Sequence, residues 1–174
     1  RLFRQHLGAG PLAVAQTRRV LLAKQLIHES RLPMAEIAMA AGFGSIRRFN
    51  ETFQQLYRRP PSALRRSKAA AESAGAAGAV TLRLSYRPPY DWQAMLRFLS
   101  FRAIPGVEVI AGNAYARTIA LNGQSGTVAV EPTETHRLQV TVRFPDLKAL
   151  PVIIARVRRV FDLAADPVLI GQHL

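Results

Sequence analysis

Residues 32–53, LPMAEIAMAAGFGSIRRFNETF, allow few arrangements other than two short helices around a tight turn. Leu32, Ile37, Ala38 and Ala41 recur at helical spacing, and Pro33 stands at a first-turn position, where no backbone N–H is needed. Gly42 ends that helix. Ser45 is placed to cap a second one, in which Phe49 and Phe53 fall four apart on one face, leaving Arg47, Arg48, Asn50 and Glu51 for the others. Two helices at a steep angle about a glycine turn, the second with a basic, amide-bearing outer face, describe a helix-turn-helix whose second helix can enter a major groove.

A helical hairpin with merely solvated charges would share this local pattern, so the longer phrase decides. Ile37-Ala38, Gly42-Phe43, Phe49, Phe53, Arg59-Pro60-Pro61 and Leu64-Arg65 together resemble the second helix-turn-helix of AraC/XylS-type bacterial transcription regulators. Charge agrees with that resemblance. Residues 1–68 hold 13 Lys/Arg against 3 Asp/Glu, whereas residues 69–174 hold 11 against 8, so the net charge of +13 is concentrated in the first part. A merely soluble basic surface is the alternative. The expected partner is a polyanion, with double-stranded DNA ahead of an anionic membrane because no basic amphipathic helix carries a bulky aromatic anchor.

Roles on that DNA follow from side-chain chemistry. Arg47 can bond guanine bidentately, Asn50 adenine, Glu51 can accept from cytosine and Ile46 can touch a thymine methyl. Arg48, Arg18, Arg19 and Arg65 are phosphate candidates, although charges on a long exposed helix such as that of Arg18 and Arg19 are as readily just solvated.

Residues 1–10, RLFRQHLGAG, read as a helix stopped at Gly8. In the AraC/XylS regulators a first helix-turn-helix precedes this point, and RLFRQHLGAGP resembles the last turns of its recognition helix. The resemblance puts Arg1 at a position that often faces bases, and implies that the chain is a fragment of a longer protein. Residues 12–30 support one long connecting helix with Val20, Ala23, Leu26 and Ile27 on one face. Pro60-Pro61 breaks helical structure and a last short turn follows, so a DNA-binding segment is expected over 1–66. Residues 67–79, SKAAAESAGAAGA, offer little to bury and read as a flexible linker, with alanine enough for a short helix.

A different pattern begins at Val80, where Val80, Leu82, Leu84 and Tyr86 alternate with Thr81, Arg83 and Ser85 as in a half-buried strand. Pro88-Pro89 ends it. A helix capped by Asp91 is expected to run through Trp92, Met95, Leu96, Phe98 and Leu99 to Arg102. Strands are expected over 107–110, 115–121, 126–130 and 138–144, with Asn122-Gly123 and Ser125-Gly126 as turn residues between the middle two. These make an antiparallel meander. A helix over about 147–163 would bury Leu150, Ile153, Ile154, Val157, Val160 and Phe161, with Pro151 near its first turn, and Asp166-Pro167 opens a last helical piece.

The phrase Tyr86-Arg87-Pro88-Pro89-Tyr90-Asp91-Trp92, with Met95-Leu96, Phe98-Leu99, Arg102-Ala103, Val107-Glu108, Tyr115-Ala116-Arg117, Phe161-Asp162-Leu163 and Pro167, resembles the start of bacterial 3-methyladenine DNA glycosylases of the inducible AlkA type. That resemblance implies an α+β fold for 80–174, a small antiparallel sheet with helices packed on one side. A regulator helix-turn-helix joined to such a domain is similar to the Ada-AlkA fusions of the adaptive response to alkylation. The parent protein is then expected to be a DNA-3-methyladenine glycosylase II, with zinc confined to a cysteine-rich domain for which nothing here corresponds.

In that family the catalytic aspartate, the aromatic pocket and the helix-hairpin-helix lie in later domains, so no catalytic residue is assigned here. Asp91, flanked by Tyr90 and Trp92, is better read as a helix cap than as a reacting group. His6, His28, His136 and His173 have no metal-ligand spacing, and no cysteine is present, which leaves no expected metal or cofactor. No apolar run reaches the roughly 18 residues a membrane span needs. A monomer in the cytoplasm, at the bacterial nucleoid, is expected, with RNA polymerase as a second candidate partner. The alternative function is a regulator whose second domain senses a small-molecule effector.

Overall fold

Two units, Arg1–Glu72 and Ser73–Leu174, divide the chain, and the computed structural model describes residues 2–65, 79–133 and 136–173. In the first unit α1 (Leu2–Leu7) stops at Gly8, whose φ of +64° is open to glycine without strain. The long connecting helix α2 (Pro11–Glu29) carries proline in its first turn and buries Val20, Ala23, Leu26 and Ile27, the stripe its spacing requires. Ser30 closes it by donating its hydroxyl to the Leu26 carbonyl at 2.6 Å.

Helix α3 (Met34–Ala40) begins after Pro33, and Gly42, at φ +81°, turns the chain toward α4 (Ile46–Tyr57). The Ser45 hydroxyl accepts from the Arg48 N–H, satisfying one of the free donors of the first turn of α4. The inner face of α4 is an aromatic ladder. Phe49 lies 5.2 Å edge-on from Phe43 and 4.9 Å from Phe53, and Phe53 lies 5.4 Å from Tyr57. Phe49 and Phe53 have no solvent exposure, so each contributes about 1.5–3 kcal/mol and together they fix which face of α4 stays outside. Past Arg58, left-handed at φ 55°, a short 3-10 turn (Pro61–Leu64) ends the described part of this unit.

In the second unit β1 (Ala79–Ser85), β2 (Glu108–Ala111), β3 (Ala114–Leu121), β4 (Gln124–Pro132) and β5 (Arg137–Arg143) form one antiparallel sheet in the order β1-β5-β4-β3-β2. The last four strands are the expected meander. The first is carried by α5 (Trp92–Phe101) away from the edge where β2 lies, and pairs instead with β5, Leu82 opposite Val140. From there one row of side chains crosses the whole sheet, Val140 opposite Val130, Val130 opposite Tyr115, and Tyr115 opposite Ile110. Its first four members are buried, with α6 (Leu150–Val160) supplying Leu150, Ile153, Ile154 and Val157 to the same core; the opposite face carries Arg83, Thr127 and Glu131, all exposed. Helix α7 (Pro167–Gly171), capped by Asp166, completes the unit. The architecture is α+β.

Four expectations need correction. Ser125 and Gly126 are not turn residues: Asn122 and Gly123, both at positive φ, make the whole turn, and Gly126 sits in β4 opposite Ile119. A side chain there is obstructed, because a Cβ would stand 2.2 Å from the Arg143 carbonyl oxygen and 2.7 Å from the Phe144 ring, so the strand would have to shift. The helix expected from 147 opens instead as a 3-10 turn (Leu147–Ala149), with Pro151 in the first turn of α6, and Val160 is 38% exposed at the rim of its apolar face. Ala79 belongs to β1, and residues 67–78 of the expected linker lie outside the described residues.

Beneath the sheet Tyr115, 1% exposed, donates its hydroxyl to Glu108 at 2.6 Å. Glu108 also accepts from the Ile104 N–H at 3.0 Å and faces the Arg117 guanidinium at 3.3 Å. The hydroxyl and the backbone donor, with Arg117, hold this carboxyl below the usual carboxylate range, while burial and the bond to Glu108 push the Tyr115 hydroxyl up to about 12.

Candidate nucleic-acid interface

With Phe49 and Phe53 turned inward, α4 presents Ile46, Arg47, Arg48, Asn50 and Glu51 to solvent. Arg47 and Glu51 are one helical turn apart and joined, Nε to Oε1, at 2.8 Å. The bonded carboxylate raises the Arg47 guanidinium above its ordinary value. Asn50 is exposed, its amide without a hydrogen-bond partner among the described residues, and Ile46 is 49% exposed.

The helix is fixed from behind by residues the sequence did not single out. Gln16 on α2 donates to the Thr52 hydroxyl at 3.1 Å, and the Lys24 ammonium lies 5.3 Å from the centre of the Tyr57 ring. Both join elements 33 or more residues apart, which no periodicity can reveal. Arg58, which motif reading passed over, and Arg59 of the Arg59-Pro60-Pro61 phrase are exposed just after α4 and add positive charge.

The remaining sequence-derived candidates scatter. Arg48 and Arg18 are exposed, and Arg19 is half-buried, its side chain close enough to Gly42 that a Cβ there would lie 3.7 Å from Nε. Arg65 differs from a free phosphate ligand: it is half-buried, its Nη2 donates to the Leu32 carbonyl at 2.5 Å, and its Nε is buried with no hydrogen-bond partner among the described residues. It ties the last turn of the unit to the start of α3. Arg1 lies outside the described residues.

In the second unit the Tyr86–Trp92 phrase forms a clasp. Tyr86 and Tyr90 stack with centroids 4.5 Å apart on either side of the cis Pro88-Pro89 bond. The Tyr90 hydroxyl, which burial pushes up from its ordinary value, donates to the Phe161 carbonyl at 2.7 Å. Trp92 stacks on the Phe161 ring at 5.5 Å and donates its indole N–H to the Asn113 carbonyl at 3.0 Å. Asp91 accepts from the Ala94 N–H at 2.8 Å as the cap of α5. Tyr90, Asp91 and Trp92 of the phrase thus each have a structural partner, and so does Arg87, which meets Asp166 at 2.6 Å.

Residues 81–174, more than half of the chain, match the AlkA N-terminal domain family. The chain belongs to that family. Residues 1–67 match a helix-turn-helix domain family. Across its whole length the chain is 40% identical to the probable bifunctional transcriptional activator/DNA repair enzyme AlkA of Mycobacterium tuberculosis, of which it spans 35%. Its rear 52% is 34% identical to a third of the Escherichia coli DNA-3-methyladenine glycosylase 2. Its front 38% is 41% identical to a fifth of the HTH-type transcriptional regulator GlxA of Rhizobium meliloti. The chain therefore spans about a third of the length of the AlkA proteins it matches.

Within this AlkA N-terminal domain the clasp explains why the phrase is so distinctive: it serves the closing of β1, α5 and α6 around Phe161. Among the described residues no group of three or more His, Cys, Asp or Glu could hold a metal ion. No described helix is long and apolar enough to cross a membrane.

Proposed function

We propose that this chain is the sequence-reading front of a bifunctional alkylation-response protein: a DNA-binding regulator segment joined to the non-catalytic AlkA N-terminal domain. The observation that carries the reading is α4, whose aromatic inner face is locked while Arg47, Asn50 and Glu51 stand outside together. Arg47 and Asn50 read bases, assisted by Glu51, Ile46 and, at the first position of the chain, Arg1. Arg48, Arg18 and Arg19 take phosphates. The segment is proposed to act as a monomer on the bacterial nucleoid in the cytoplasm, with RNA polymerase as its protein partner.

The glycosylase activity is proposed for the full-length protein, with its reacting groups outside these 174 residues. Release of 3-methyladenine by these residues alone would overturn that part. The DNA-reading part is tested by fluorescence anisotropy of the chain on promoter DNA from its own operon, beside shuffled duplex, over a range of salt. The reading requires a preference for the promoter and a steep loss of affinity as salt rises. Equal affinity for both duplexes would reject it.

A further inference from the structure

Beside the α6 helix of the second unit lies a groove of about 540 Å³ that shares Phe161 with the clasp. Its floor is apolar, formed by Ile119, Val128, Ile153 and Val157. Arg117, Arg156 and Arg159 line it, and no carboxylate does. Arg117 is already partly neutralised by Glu108. Arg156 and Arg159 are exposed, and neither has a carboxylate or hydrogen-bond partner among the described residues.

An apolar trough of this size with a few charged groups at one rim is the form of a small-ligand site. Duplex DNA would require a ridge of cations rather than a greasy recess. Single-stranded nucleic acid would require an open ring face on which bases stack, whereas Tyr115 and Phe161, the two aromatics of the groove, are each 1% exposed. We infer that the groove binds a small amphipathic anion, an alkyl chain ending in one carboxylate or phosphate, with the chain over Ile119 and Val157 and the head group between Arg156 and Arg159.

The protein carries its own reporter. Trp92, the single tryptophan, stacks on Phe161, which lines the groove. Sodium decanoate, decyl phosphate and 1-decanol, each below its aggregation threshold, are titrated into the full 174-residue chain, followed by Trp92 emission and by calorimetry. Either anion binds saturably with one site per chain, and the tighter of the two identifies the head group. Decanol binds at least about tenfold more weakly, because it leaves the guanidinium groups without a charge-assisted partner. The double variant Arg156→Gln/Arg159→Gln weakens the anion by about tenfold or more with unchanged melting, while Arg97→Gln, an exposed arginine of α5 outside the groove, leaves affinity unchanged. Absence of saturable binding, many sites per chain, equal affinity for decanol, or an equal loss in Arg97→Gln would each overturn the assignment.

Discussion

Arg47 and Glu51 hold each other at 2.8 Å on the outer face of α4, with side-chain exposures of 87% and 52%. Two proposed base-reading groups are therefore arranged as one unit before any DNA arrives, the carboxylate steering the guanidinium along the helix surface. A site built this way loses less rotamer freedom on binding than two independent long side chains.

Arg47→Ala is accordingly expected to weaken promoter binding on the order of ten- to hundredfold, with the loss confined to one base pair when single-site promoter variants are compared. Uniform loss across all sequences would instead mark Arg47 as a phosphate ligand. Glu51→Gln should broaden the preference at the neighbouring pair while leaving the chain folded.

Arg65 offers the opposite outcome. Its bond to the Leu32 carbonyl makes Arg65→Ala a stability variant, costing about 1–2 kcal/mol in denaturant unfolding of the first unit. The slope of log affinity against log salt should not change. A slope reduced by about one would show a phosphate contact after all.

Gly126→Ala should destabilise the second unit by about 1–3 kcal/mol, since the obstructing atoms include the backbone carbonyl of Arg143, which cannot swing aside. Gly44→Ala, where an added Cβ meets nothing within 4 Å, serves as the control and should be close to neutral. Chemical denaturation of both variants decides the matter.

The Tyr115–Glu108 pair predicts the pH profile. Glu108 is held below its ordinary value, so its contribution is complete above the unfolded-state value of about 4.5 and fades as pH falls through the lower folded value. Tyr115 is raised from 10 to about 12, so its contribution is complete below pH 10 and is lost between 10 and about 12. Tyr115→Phe should cost about 1–3 kcal/mol at neutral pH, and that cost should shrink across the alkaline window. A cost that stayed constant from pH 7 to 12 would contradict it.

Asp91 separates a cap from a reacting charge. Asp91→Asn keeps an acceptor for the Ala94 N–H and should melt like the parent, whereas Asp91→Ala should lose about 0.5–2 kcal/mol. The glycosylase activity proposed for the full-length protein should be retained with Asp91→Asn.

Local signals were legible and distant ones were not. The helix stripes of α2 and α4, the caps at Ser45 and Asp91, and the stops at Gly8 and Gly42 each depend on residues within a turn or two, where spacing speaks directly. The outer face of α4 was legible for the same reason, and the Arg47–Glu51 pair lay within reach of the four-residue rule. The pairing of β1 with β5 was not, because Leu82 and Val140 meet only in three dimensions. Gly126 read as a turn because glycine beside serine usually marks one, whereas here glycine answers the approach of another strand. Arg65 read as a free cation for want of any sign that a carbonyl more than thirty residues earlier would take it.

The placement of β1 at the edge of β5 also sets a timetable. On the ribosome Ala79–Ser85 must wait for Arg137–Arg143 before either edge of that pairing is covered. Synthesis thus leaves β1 an open strand until β5 has been made, and a translation pause between the two would prolong that exposure.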